Sequence, residues 1–285
     1  MSSLICNLPE WVRNSPSGDE GFRQAVHIIL DTIAEDSRLS ELLCLKGGIL
    51  MALHYESQRH TTDIDFSTDK AFSLEAEEEI KALIERRLAE AADRMPYDTE
   101  CRLQRWKVQP GRDKTFVTIQ MKVGYAARST KEHARLLNGS AARTVSIDYS
   151  YLESIPQFEE ISIGSDGVLR VYAIQTLVAE KIRSLLQQPI RGRNRRQDVF
   201  DLHHLLNTRQ ELYSQEYKDT VLQTIIIKCG DREVPVDQNA FENAAIHDMA
   251  LADYHSMDDE VEGDLPDFEA AFAQIKDYFR QLPWS

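Results

Sequence analysis

The 285-residue sequence holds only four cysteines, and Cys6, Cys44, Cys101 and Cys229 are scattered without a Cys-x-x-Cys pair. That spacing excludes a zinc ribbon or a disulfide framework and fits reduced thiols. No apolar run approaches the ~18 residues of a membrane span, and Met1-Ser2-Ser3-Leu4 lacks the basic and apolar stretches of a secretory signal. These absences predict a cytoplasmic protein with no membrane partner. Internal repeats and low-complexity tracts are missing too, which excludes solenoid architectures and compositional tails. Positive charge is also short: 33 Lys+Arg stand against 47 Asp+Glu, a net −14, the wrong sign for a surface gripping nucleic acid throughout.

The deficit is uneven. Residues 231–285 carry 14 Asp+Glu against 3 Lys+Arg, a net −11, which leaves −3 for residues 1–230. Within the nearly neutral part, Arg183, Arg191, Arg193, Arg195 and Arg196 form a local basic cluster. An acidic tail beside a basic segment is either a solvated face or a mask over a polyanion site.

The stretch with most chemical content is Lys46-Gly47-Gly48-Ile49-Leu50-Met51-Ala52-Leu53, after apolar Leu42-Leu43-Cys44-Leu45 and before Thr61-Thr62-Asp63-Ile64-Asp65-Phe66. It reads as strand, tight turn and helix over residues 41–56, then a strand over residues 61–67. Glycines without a Cβ let the backbone turn and approach a ligand, and a following helix aims its free N–H groups at an anion, most naturally a phosphate. In a strand, Asp63 and Asp65 project to one side while Ile64 and Phe66 face the core. Two such carboxylates suit a hard cation such as Mg²⁺; the alternative is a solvated Asp pair in a loop.

Along the rest of the chain, residues 1–19 read as a loosely held lead-in and residues 21–35 as an amphipathic helix under the sheet. Residues 74–94 make a long surface helix. Residues 101–108 and 115–123 are β-rich and flank Pro110-Gly111, a hairpin signal; residues 143–149 alternate as a third strand that puts Asp148 opposite Ile147. Past Gly167 the pattern turns helical, over 173–187, 197–207, about 210–228, 238–252 and 266–282, with an acidic loop at 256–266. Lys181 lies on an otherwise apolar stripe, where a snorkelling surface lysine is the ordinary reading. Asp198 and Asp201 share a helix face, and Asp198 also suits the positive end of a helix dipole.

Two blocks together resemble one family. Lys46-Gly47-Gly48 with Arg59-x-Thr61-x-Asp63-Ile64-Asp65-Phe66, and later Ala179-Glu180-Lys181-Ile182-Arg183-Ser184-Leu185 with Arg195-Arg196-Gln197-Asp198-Val199-Phe200-Asp201-Leu202, are similar to the AbiEii/AbiGii nucleotidyltransferase toxins of the DNA polymerase beta-like superfamily. The likeness spans roughly residues 20–207. It implies an α+β fold: an N-terminal polymerase-beta-like nucleotidyltransferase domain with a mixed sheet over residues 1–165, plus a C-terminal helical domain over residues 166–285 that contributes Lys181 and the basic segment to the cleft.

The resemblance implies a Mg²⁺-dependent enzyme, with two ions, that moves a nucleotide from an NTP to an RNA hydroxyl, most directly a tRNA 3′ end, under restraint by an antitoxin protein in an abortive-infection or toxin–antitoxin system. It gives Asp63, Asp65 and Asp148 as catalytic metal ligands, with Lys181 as the cation on the phosphates. Gly47, Gly48, Arg59, Arg195, Arg196, Asp198 and Asp201 are implied to bind nucleotide or acceptor, the acids orienting the cations. His203 and His204 read as structural, and Lys46 as a salt-bridging residue. Two departures stand out: Ile49 where the family has Ser or Thr, and Gln197 where it often has Lys. Alternatives are a small-molecule or protein hydroxyl as acceptor, or a catalytically weak nucleotide- or partner-binding module.

Overall fold

The computed structural model describes residues 4–163 and 167–284. A short strand, β1 (Leu4–Ile5), leads into helix α1 (Leu8–Arg13). The lead-in is thus more ordered than its composition suggests: the Asn7 side chain accepts from the Glu10 N–H, Pro9 occupies the first turn, and Leu8 and Val12 are buried. Helix α2 (Glu20–Ala34) follows, then α3 (Ser37–Leu42), started by Asp36 accepting from the N–H groups of Arg38 and Leu39. That cap takes Glu41 and Leu42 into a helix, so strand β2 is only Cys44–Lys46, and α4 (Gly47–His54) begins at the first glycine.

Strand β3 (Asp63–Ser67) precedes the long helix α5 (Leu74–Arg94), capped by Ser73 accepting from the Ala76 N–H. Strands β4 (Thr99–Gln109) and β5 (Thr118–Ala127) form the antiparallel hairpin that Pro110-Gly111 signalled. After the short helix α6 (Glu132–Leu137) come β6 (Arg143–Ser150), β7 (Phe158–Ile163) and β8 (Gly167–Tyr172). The last two strands extend sheet structure to the point where a helical pattern was expected to take over.

Among the described residues the sheet has eight strands in the order β1-β7-β8-β2-β3-β6-β5-β4, and it is mixed. β3 runs parallel to β6 and antiparallel to β2, while β5 is antiparallel to both β4 and β6. One face is apolar: Ile29 and Ile33 of α2 and Ile84 and Leu88 of α5 meet Phe66, Met121, Val123 and Ile147 there. Burial of these side chains removes the apolar surface that drives the layer together. Buried Glu77 of α5 ties the helix to the hairpin: its carboxylate accepts from Arg112 (2.7 Å) and from the Trp106 indole N–H (3.0 Å). Hydrogen bonding to Arg112 holds the Glu77 carboxyl below the usual carboxylate range.

The chain divides into two compact units. The first comprises the chain to His54, Thr62–Glu153 and Phe158–Val171 and contains the layers just described. The second comprises Tyr55–Thr61, Ser154–Gln157 and the chain from Tyr172 onward. It is built from α7 (Ile174–Leu186), α8 (Gln188–Arg191), α9 (Arg196–Thr208), α10 (Gln215–Asp231), α11 (Ala244–Leu251) and α12 (Phe268–Arg280). Residues 55–61 are stitched into it: the His60 N–H donates to the Glu260 carbonyl (2.7 Å), the Glu262 N–H to the Gln58 carbonyl (2.9 Å), and the Tyr55 carbonyl accepts from His204 (2.6 Å). Phe241 packs edge-on to Phe272 and Phe279 in its core.

Candidate active site

Alternation along β3 buries Ile64 and Phe66 and leaves Asp63 exposed and Asp65 half-buried on the opposite face. The parallel pairing of β3 with β6 then decides the geometry. Asp65 is the register partner of Asp148, and Asp63 of Ser146. Register partners on neighbouring strands lie ~4.8 Å apart and point the same way, so three carboxylates share one patch of one sheet face. Gln120 of β5, in register with Asp148, brings its amide Nε2 to 3.5 Å from Asp148 Oδ1. Lys46 of β2 flanks Asp65 on the other side.

Gly47 is required where it stands. Its φ is +73°, a left-handed conformation that favours glycine, and a Cβ there would land on the carboxylate of Asp65, 3.0 Å from its Cγ. The turn therefore lets the Asp65 side chain lie against bare backbone at the start of α4. Ile49 next to it is fully buried. Position 49 in this chain fills the core, so the missing Ser or Thr hydroxyl is replaced by packing rather than by another polar contact.

In the second unit a different cluster forms. Lys181 on α7 is 5% exposed, and its Nζ donates to Asp201 Oδ2 (2.6 Å) and Asp198 Oδ1 (3.2 Å) on α9. Asp201 is fully buried and also takes both a Nε and an Nη of Arg59 at 3.1 Å, a two-pronged contact across 142 residues. Burial alone would raise the Asp201 carboxyl, but Arg59 and Lys181 outweigh it and hold the pKa at about 2. The same carboxylates outweigh burial at Lys181 and raise its pKa. A snorkelling lysine does not describe this side chain.

The remaining predicted residues are Arg195, just before α9, and Arg196 at its start. The Arg195 backbone N–H donates to Gln188 Oε1 (2.7 Å). The Arg196 guanidinium binds the Asp253 carbonyl (3.1 Å), Ser256 and the Glu260 carboxylate (2.7 Å), so one acidic residue of the 254–260 segment sits on the basic stretch. Gln197 reaches the other oxygen of Glu260 at 3.4 Å. His204 is spent on the Tyr55 carbonyl, and burial lowers the pKa of His203.

Asp63, Asp65 and Asp148 offer the hard oxygen donors that Mg²⁺ takes, on adjacent strands and one face. Their donor chemistry fits that ion, although among the described residues no three His, Cys, Asp or Glu side chains converge as a ready-made metal cage. Also among the described residues, no helix is long and apolar enough to cross a membrane. The alternation of residues 118–123 announced that Gln120 and Lys122 share a face, but their alignment with the aspartates depends on a strand pairing that local pattern does not carry.

A family model described as the nucleotidyl transferase AbiEii toxin of type IV toxin–antitoxin systems matches residues 28–274, well beyond residue 207, where the likeness read from the sequence ends. No curated protein matches the chain. Among solved structures, JHP933 from Helicobacter pylori aligns at 16% identity over 94% of this chain and 92% of its own, with a TM-score of 0.54. MenT4, the nucleotidyltransferase toxin Rv2826c from Mycobacterium tuberculosis, aligns at 13% identity over 95% of this chain and 87% of its own, with a TM-score of 0.56. At such identities the likeness is one of fold.

Proposed function

The chain belongs to the AbiEii nucleotidyl transferase toxin family, and from that premise we propose that it transfers a nucleotide from an NTP to a hydroxyl of RNA, most directly a tRNA 3′ end. In this reading the first unit is the catalytic domain and the second a helical domain. The observation that carries the assignment is the register pair Asp65–Asp148 lying beside the bare backbone of Gly47.

The acceptor oxygen attacks the α-phosphorus; the new P–O bond forms as the bond to the β-phosphate oxygen breaks, and pyrophosphate leaves with the electron pair. The hydroxyl proton passes to the Asp148 carboxylate. Such a transfer depends on positioning and charge neutralisation more than on covalent help. Bound Mg²⁺, held by Asp63, Asp65 and Asp148, would supply neutralisation of the phosphate charge. Gly47 and Gly48, with the free N–H groups that open α4, receive the triphosphate. The enzyme works in the cytoplasm, where a cognate antitoxin protein restrains it.

The test is incubation of the protein with Mg²⁺, each α-³²P-labelled NTP in turn, and total bacterial RNA, resolved on a denaturing gel beside Asp65→Asn. The expected result is label on an RNA band that the variant does not produce. Label on the protein itself, or none with any nucleotide, overturns the RNA reading.

A further inference from the structure

The carboxylate patch does not end at Asp148. The same pairing that aligns Asp65 with Asp148 continues the row to Gln120 and then Lys107 of β4, and it continues the row of Asp63 and Ser146 to Lys122 and then Arg105. Register partners point to one side, and Trp106, between Arg105 and Lys107, confirms the direction by reaching Glu77 under the opposite face. Arg105, Lys107 and Lys122 are exposed, and among the described residues none of the three is in an ion pair. Elsewhere in the same unit Arg87, Arg112 and Arg128 each sit on a carboxylate.

We propose that Arg105, Lys107 and Lys122 form the track for the phosphodiester backbone of the RNA acceptor and lead its terminal hydroxyl to Asp148. The inference rests on the RNA reading above and adds the surface that holds the polymer. Lys107 lies two strand spacings from Asp148 and Lys122 two from Asp63, or ~10 Å in each case. A small acceptor seated at Asp148 leaves these cations unused, whereas a chain ending there lays its next phosphates across them. Row members between cations and carboxylates are polar (Gln120, Ser146), so the face lacks the apolar centre that a protein partner needs. Phosphate contacts of this kind position an acceptor without reading its sequence.

The experiment is binding of a fluorescein-labelled oligoribonucleotide with a free 3′ hydroxyl, followed by anisotropy across a salt series without NTP. Each phosphate contact to single-stranded nucleic acid contributes about 0.7 to the slope of log K against log salt. Arg105→Gln/Lys107→Gln/Lys122→Gln is therefore expected to lose about 2 from that slope, roughly a hundredfold in affinity at 0.1 M salt. Lys81→Gln/Arg86→Gln, on α5 beneath the other face, is expected to leave the slope unchanged. Asp63→Asn/Asp65→Asn keeps RNA binding while losing transfer, which separates failure of the track from failure of the catalytic reading. An unchanged slope in the triple variant overturns the proposal, as does loss of NTP affinity with RNA binding intact, or absence of RNA binding by the wild-type chain.

Discussion

Two charged clusters in this molecule use the same side chains to opposite ends. On the sheet, Asp63, Asp65 and Asp148 gather three like charges on an accessible face. In the helical unit, Asp198 and Asp201 meet Lys181 and Arg59 in a network with equal numbers of cations and anions, almost wholly out of water. Open carboxylates on one sheet face offer oxygen donors within reach of a ligand from solvent. The second is complete in itself: buried charges persist only when paired and hydrogen-bonded. Exposure, rather than the presence of aspartates, separates a site from a girder.

The sharpest way to break the comparison is Asp65→Asn. It is expected to lower nucleotide transfer by on the order of 10²–10³-fold, as for loss of one positioned electrostatic group, with a smaller change in the urea midpoint than Lys181→Met produces. If stability collapses instead, the sheet cluster is structural. Lys181→Met should do the reverse and cost about 3 kcal/mol of stability in urea titration, the lower end for a broken buried pair because Arg59 still compensates Asp201. Lys181→Met/Asp201→Leu should recover part of that loss. A Lys181→Met protein of full stability and weak transfer would move Lys181 into the first class.

A smaller effect is expected of Gly47→Ala, at about 1–3 kcal/mol from backbone strain at φ +73°, together with weaker transfer as the new methyl displaces the Asp65 carboxylate. The smallest is the acid response. The folded pKa of Asp201 lies near 2, below its ordinary value of 3.8, so the stability it contributes is fully present above pH ~4 and is lost as pH falls towards 2. Denaturant midpoints measured across that window should decline in the wild type and flatten in Asp201→Asn.

The sheet cluster was largely legible in the sequence because its signals are local. Gly47-Gly48 marks a turn, Asp63-Ile64-Asp65-Phe66 alternates at strand period, and Pro110-Gly111 marks a hairpin. The short helix over Ser37–Leu42 also carried a local signal, Asp36 as its cap, that the apolar run of residues 42–45 obscured. Strands β7 and β8 were not legible, since six residues that mix Glu159, Glu160, Ser162 and Arg170 with apolar neighbours are too few for periodicity to separate strand from helix. Least legible of all was the contact of Arg59 with Asp201, because a pairing across 142 residues leaves no trace in either neighbourhood. The membership of residues 55–61 in the helical unit follows from that contact and from backbone pairing with residues 260–262, again non-local.

The parallel pairing of β3 with β6 has a temporal consequence. Asp65 and Asp148 are more than 80 residues apart in the chain, and they become neighbours only when the intervening helix and hairpin have been made and β6 has inserted between β3 and β5. Such long-range parallel pairing pays its loop-closure entropy before any contact rewards it and is intrinsically slow. During synthesis, a nascent chain that has exposed its Gly-Gly turn and Asp-x-Asp strand still has no assembled carboxylate centre. A member of the AbiEii family is thereby without its carboxylate patch until most of its first unit has left the ribosome.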